Sequence, residues 1–124
     1  MKNALHWFEI PATDITRAKD FYEEIFDFKM QDFDLGDSVK MALFPTDQTG
    51  VGGALCQNHA FYKPGQQGPL VYLNPDPDLE KVLERLKKKN GTIIQPKTQV
   101  SEEIGYMAVI EDSEGNRVAL MSGS

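Results

Sequence analysis

Phe8-Glu9-Ile10-Pro11-Ala12-Thr13-Asp14-Ile15 can be laid over Tyr72-Leu73-Asn74-Pro75-Asp76-Pro77-Asp78-Leu79, with Pro, Asp and the aliphatic residue repeating at a constant offset of 64. Both stretches run strand, proline, acidic cap, helix. Proline has no N–H to give to a strand ladder, and an aspartate accepts bonds from the open N–H groups at a helix start. Beyond Asp14, Ile15, Ala18, Phe21, Tyr22, Ile25 and Phe26 recur at helical spacing; beyond Asp78, Leu79, Val82, Leu83 and Leu86 do the same. Asn90-Gly91 suits a left-handed stop for the second helix. Lys87, Lys88 and Lys89 fall in its last turn, where they favour the dipole and belong to a solvated helix end.

Working outward, each helix is followed by three strand-like stretches: 29–33, 39–44 and 52–57, then 92–96, 105–111 and 117–121. Turn residues separate them, including Asp34-Leu35-Gly36-Asp37, 46–50 and Asp112-Ser113-Glu114-Gly115-Asn116. Gly50-Val51-Gly52-Gly53 precedes a strand and not a helix, so it is a turn or bulge and not a phosphate cradle. The predicted fold is α+β: two paired βαβββ modules, 4–57 and 70–122, joined by a linker over 58–69. A lone module is too small to bury an adequate core, so the two are expected to form one domain. It would carry a curved mixed sheet with helices outside and a cleft between the halves.

The chain has 124 residues with 40% apolar and 26% charged, the composition of an ordinary water-soluble globule. Its net charge of −6 repels phosphate backbones and anionic lipid, which argues against nucleic-acid and membrane partners. The bias sits in residues 1–62, which hold five basic and ten acidic residues. A single cysteine, Cys56, and the lack of a basic-then-apolar leader make the cytoplasm the expected location.

Phe8-Glu9-Ile10-Pro11, Asp14, Arg17-Ala18, Phe21-Tyr22, Phe26, Val71-Tyr72-Leu73-Asn74 and Asp112-Ser113-Glu114-Gly115-Asn116-Arg117 together resemble the vicinal oxygen chelate superfamily, also called glyoxalase/bleomycin resistance/dioxygenase. The resemblance runs from about Leu5 to Ser122 and implies the glyoxalase-like fold. It also implies pairing as a homodimer. The family's usual divalent metal is held by His, Gln or Glu from both halves. The matching positions here are Trp7, then Val71 by the repeat offset or Leu70 if residues 74–78 hold an insertion, then Ala119, then Ala54 or Leu55. None is a metal ligand, so no metal and no cofactor is expected.

Trp7 and Glu9 share a strand face by alternation, so a cleft-facing Trp7 brings Glu9 with it. Glu9 is then a general base or ligand acceptor, or a carboxylate paired with a neighbouring Arg or Tyr to hold the halves together. Tyr72 and Asn74 line the cleft under the insertion register and turn to the helix under the other. Arg117 and Met121 share the cleft face of the last strand, where Arg117 would be a partner of Glu9 or an anion anchor. The candidate ligand-binding set is Trp7, Glu9, Tyr72, Asn74, Arg117 and Met121, with Glu9 as the candidate catalytic residue. His6 is expected against the helix layer, His59 in a linker that would fold over the cleft, and Cys56 as a small buried residue. Asn116 and Gly115 are accounted for by turn geometry. The expected function is metal-independent binding of a small apolar or aromatic molecule in the inter-module cleft. The alternative is a metal-free enzyme of lyase or isomerase type with Glu9 as acid/base.

Overall fold

The computed structural model describes residues 3–36 and 38–123; Asp37, in the predicted turn 34–37, lies outside the described residues. Module one runs β1 (Trp7–Pro11), α1 (Ile15–Phe26), β2 (Gln31–Leu35), β3 (Val39–Leu43) and β4 (Gly52–Gln57). Module two runs β5 (Tyr72–Leu73), α2 (Leu79–Lys88), β6 (Thr92–Ser101), β7 (Gly105–Glu111) and β8 (Arg117–Ser122). Each forms its own mixed sheet, ordered β1-β4-β3-β2 and β5-β8-β7-β6. The first strand of each module pairs parallel with the last, and the other ladders are antiparallel. The expected curved mixed surface is built from these two four-stranded sheets, with no ladder between β1 and β5 among the described residues.

Both helices start as predicted: the Asp14 side chain accepts from Arg17 N–H, and that of Asp78 from Glu80 N–H. Asn90 takes the left-handed conformation beyond α2, at φ 59°. Of the three lysines, Lys89 is not merely solvated, because it pairs with Glu24 and lies 5.7 Å from the Phe21 ring centre. Arg85 Nη1 donates to Ile25 O at 3.1 Å, a second tie between the helices.

Two strand boundaries differ from the sequence reading. The second strand begins at Gln31 and not Lys29, because Met30 turns into the core, its N–H bonded to Glu23 Oε2. The sixth continues past Pro96 to Ser101 with register shifts along its pairing with β7. It is an edge strand, where an absent proline N–H breaks no inner ladder.

One apolar cluster serves both modules, joining Ile10, Tyr22, Ile25 and Leu55 of the first to Leu79, Leu86, Ile110 and Leu120 of the second. Gly53 belongs to this packing: a Cβ there would stand 2.3 Å from the Phe8 ring, so only glycine lets the ring lie on β4.

The 112–116 turn ties the modules together and does more than reverse the chain. Asp112 is buried; its Oδ2 accepts from Tyr22 Oη at 2.7 Å and Asn116 Nδ2 at 2.9 Å, while its Oδ1 accepts from the N–H groups of Glu114 and Asn116. Asn116 Nδ2 also donates to Pro11 O, and its Oδ1 accepts from Gly65 N–H. The Glu114 side chain accepts from Thr13 and Asp14 N–H and from Arg17. The turn-only reading of Asn116 is therefore corrected: it joins β1, the linker and module two. Gly115, with φ +88°, supplies the left-handed residue that the turn requires. Among the described residues no helix is long and apolar enough to cross a membrane.

Candidate functional site

Ile10 and Leu55 turn into the shared core, so strand alternation sends Trp7, Glu9, Ala54 and Cys56 to the other face of the first sheet. There Met41, Ala54 and Cys56 form a small buried cluster flanked by Tyr62. Glu9 sits over it with both carboxylate oxygens engaged: Oε1 accepts from Tyr62 Oη at 2.6 Å and Oε2 from Trp7 Nε1 at 3.2 Å. The partner is a tyrosine of the linker, and Arg117 makes no ion pair with Glu9. The bond to Glu9, then burial, raises the Tyr62 phenol above its ordinary range, so it stays protonated as the donor.

Burial, and secondarily the Glu9 charge, push the Cys56 thiol up to about 12, against a smaller lowering by its hydrogen bond with Tyr62. A thiol this far from ionisation is a poor nucleophile. At pH 8 the folded protein is expected to resist iodoacetamide, with Cys56 labelling fully after unfolding in urea. Intact-mass readings that show complete labelling without denaturant would overturn this placement.

In module two, Tyr72 pairs with Ala119 as Glu9 pairs with Ala54, while Val71 packs against the core and Leu73 is buried within it. The insertion register is the one adopted, and it makes Leu70 the counterpart of Trp7. The positions equated with metal ligands thus hold Trp7, Leu70, Ala54 and Ala119, none of which carries a lone pair suited to a divalent ion. Among the described residues there is no cluster of three or more His, Cys, Asp or Glu side chains able to hold one. The residues present do not fit the family's metal.

Two cavities lie where the modules meet. The larger, about 770 Å³, is walled by Phe8, Phe26, Phe28 and Phe44 from module one and by Leu70 and Tyr72 from module two. Its rings brace one another: Phe26 and Phe28 stack at 5.2 Å, and Phe44 meets Phe8 at 5.3 Å and Phe28 at 6.0 Å. The smaller, about 640 Å³, lies between Glu9, Arg117 and the linker residues Lys63, Gln66 and Gln67.

The six candidate ligand-binding residues do not converge on one point. Glu9 and Arg117 share the smaller cavity; Tyr72 and Asn74 line the larger one and also meet Met121 in a shallow depression of about 410 Å³; Trp7 lines none of the three. His6 is exposed and precedes β1, which corrects its expected place against the helix layer, because the ladder starts only at Trp7. His59 is exposed, and its Nε2 lies 3.0 Å from Thr13 O, tying the linker to the β1–α1 loop. Phe28 and Phe44, unremarked in the sequence, proved to be cavity walls. Their only sequence signal was an aromatic residue just past a helix end and another closing the strand-like stretch 39–44.

The sequence matches the family model described as Glyoxalase/Bleomycin resistance protein/Dioxygenase superfamily over residues 4–120. A glyoxylase-like domain-containing protein from Didymella fabae is 30% identical over 116 residues, covering 90% of this chain and 88% of that one. The fold is similar to a glyoxalase I mutant, E144Q, from Zea mays, with TM-score 0.72 and 22% identity over 94% of this chain. This chain spans 44% of the maize protein's length. It is also similar to a glyoxalase/bleomycin resistance protein from Streptomyces sp. CB03234, with TM-score 0.68, 21% identity, and coverage of 96% of this chain and 100% of the other.

Proposed function

Taking as premise that the chain belongs to the glyoxalase/bleomycin resistance protein/dioxygenase superfamily, we propose that it binds a small apolar or aromatic molecule between its modules without a metal. The observation that supports this is the 770 Å³ cavity with four phenylalanine rings on one side and Leu70 and Tyr72 on the other. Concave sites of a few hundred Å³ with mostly apolar walls and a few polar groups are what small ligands occupy. Thr46 and Asp47 from module one and Asn74 from module two also line it, as polar groups available to orient such a ligand. Binding is favoured over catalysis because Glu9 lies outside this cavity and already accepts two hydrogen bonds within the protein.

The test uses the neutral fluorescent probe N-phenyl-1-naphthylamine with wild type, Leu70→Trp and Glu9→Gln. Leu70 is half-buried on the cavity wall, and a tryptophan there takes up the space the probe needs. Saturable fluorescence enhancement is expected for wild type and Glu9→Gln, with affinity at least about 100-fold weaker for Leu70→Trp, a loss of about 2.7 kcal/mol. Enhancement that does not saturate, or that is equal in Leu70→Trp, would overturn the assignment.

A further inference from the structure

Arg117, on the wall of the smaller cavity, carries a guanidinium whose hydrogen bonds are mostly unspent. Arg117 stands at the start of β8 and donates from Nη2 to Gly68 O at 3.0 Å. Its Nε is buried and has no partner among the described residues. Among the described residues Arg117 is in no ion pair, although Glu9 shares the cavity wall. Glu9 is unavailable because Tyr62 and Trp7 already hold it. Glu111, beside Arg117 across the β7–β8 ladder, accepts instead from Gln66 Nε2 at 3.1 Å.

A buried charged donor left without an acceptor is costly, and most such groups in folded proteins have a partner. A guanidinium with several free N–H groups matches the two oxygens of a carboxylate. The charge of the wall sets the valence of what enters. Arg117 and Lys63 contribute two positive charges and Glu9 one negative, and among the described residues no other ionisable side chain lines the cavity. One net positive charge complements a monoanion, whereas a phosphate dianion would face the Glu9 carboxylate with a charge in excess. Lys63 is only loosely held, with Nζ at 3.4 Å from His59 O, so little is lost when it turns to an anion.

We infer that the cavity between Glu9, Arg117 and the linker binds a small monocarboxylate, with Arg117 as its anchor and Lys63 as the second cation. This site shares the wall residues Pro69 and Val71 with the aromatic cavity, but its charged lining is its own and Leu70 lines the aromatic cavity alone, so it does not depend on that cavity's ligand. It also gives the 58–69 linker a role: its Lys63 and Gln66 form one wall of the cavity while Tyr62 fixes that segment to Glu9.

Propionate and isobutyrate, their amides and inorganic phosphate are titrated into ¹⁵N-labelled protein, following the Arg117 Nε–H and Gly65 N–H resonances. At pH 8, where phosphate is mainly the dianion, saturable shifts are expected with both carboxylates, at least about ten-fold weaker binding for the amides, and none for phosphate at matched ionic strength. Arg117→Gln should weaken propionate by about ten- to a hundred-fold, with Arg117→Lys in between because it keeps the charge and loses the fork. Leu70→Trp should leave propionate binding unchanged, so failure of this site and failure of the aromatic cavity are told apart. Amides binding as well as acids, phosphate binding more tightly than either, or Leu70→Trp abolishing the shifts would each overturn the inference. The acid–amide comparison on wild type decides the matter even if Arg117→Gln does not fold.

Discussion

Replacing Asp112 with alanine is expected to lower the unfolding free energy by about 4 kcal/mol, as two or three buried donors lose their acceptor at about 1–3 kcal/mol each. The donors are Tyr22 Oη and the N–H groups of Glu114 and Asn116. Asn116 Nδ2 still has Pro11 O, so it is only half stripped. Domains of this kind are stable by about 5–15 kcal/mol in total, so the loss is a large fraction of the whole. The amide of Asp112→Asn keeps one acceptor oxygen and turns an NH₂ towards the remaining donors, so it should restore only part. Adding Tyr22→Phe to Asp112→Ala should recover stability, because the hydroxyl then no longer sits buried without a partner. Urea unfolding at pH 7 followed by circular dichroism measures all four proteins. A loss below about 1 kcal/mol for Asp112→Ala, or no recovery in the double variant, would mean that the network does not join the modules.

The fold was legible because its signals are local. An aspartate following proline by three residues, with apolar residues at helical spacing behind it, specifies a capped helix wherever it occurs, and it occurs twice. That Glu9 shares a face with Trp7 was legible for the same reason, since side chains two apart along β1 stand on one side of the sheet. What holds Glu9 was not. Tyr62 lies 53 residues away on a linker whose path no periodicity describes. The roles of Asp112, Glu114 and Asn116 were hidden because a D-x-x-G-N turn has a sufficient local explanation. Their distant partners, Tyr22, Arg17 and Pro11, become visible only when the modules are packed. Phe28 and Phe44 present the same difficulty: half-buried aromatic residues look like core until the gap between the sheets is seen.

The second carboxylate of the turn should respond to pH in the opposite sense from the first. Burial raises Asp112, with its hydrogen bonds opposing incompletely, so the folded state binds that proton more tightly than the unfolded chain. Stability owed to Asp112 therefore improves as pH falls towards its ordinary value of 3.8. At Glu114 burial also pushes upward, but the Arg17 guanidinium and the N–H groups of Asp14 and Thr13 outweigh it and hold the carboxyl below its ordinary 4.5. Its contribution is fully present above pH 4.5 and is lost as pH falls through the lower folded value. Glu114→Gln should thus cost about 2 kcal/mol at pH 7, from charge-assisted bonds to Arg17 and to the Thr13 and Asp14 N–H groups just before α1. The Arg17 side chain is 54% exposed and returns to water when its partner goes, which keeps the cost below that of a fully buried pair. Between pH 7 and 5 the gap between wild type and Glu114→Gln should be constant, and it should narrow steadily below 4.5 as Glu114 itself becomes neutral. Urea midpoints at half-unit pH steps resolve this. A gap that persists at pH 3 would assign the effect to shape and hydrogen-bond count, and a gap absent at pH 7 would remove Glu114 from the forces that place α1 against module two.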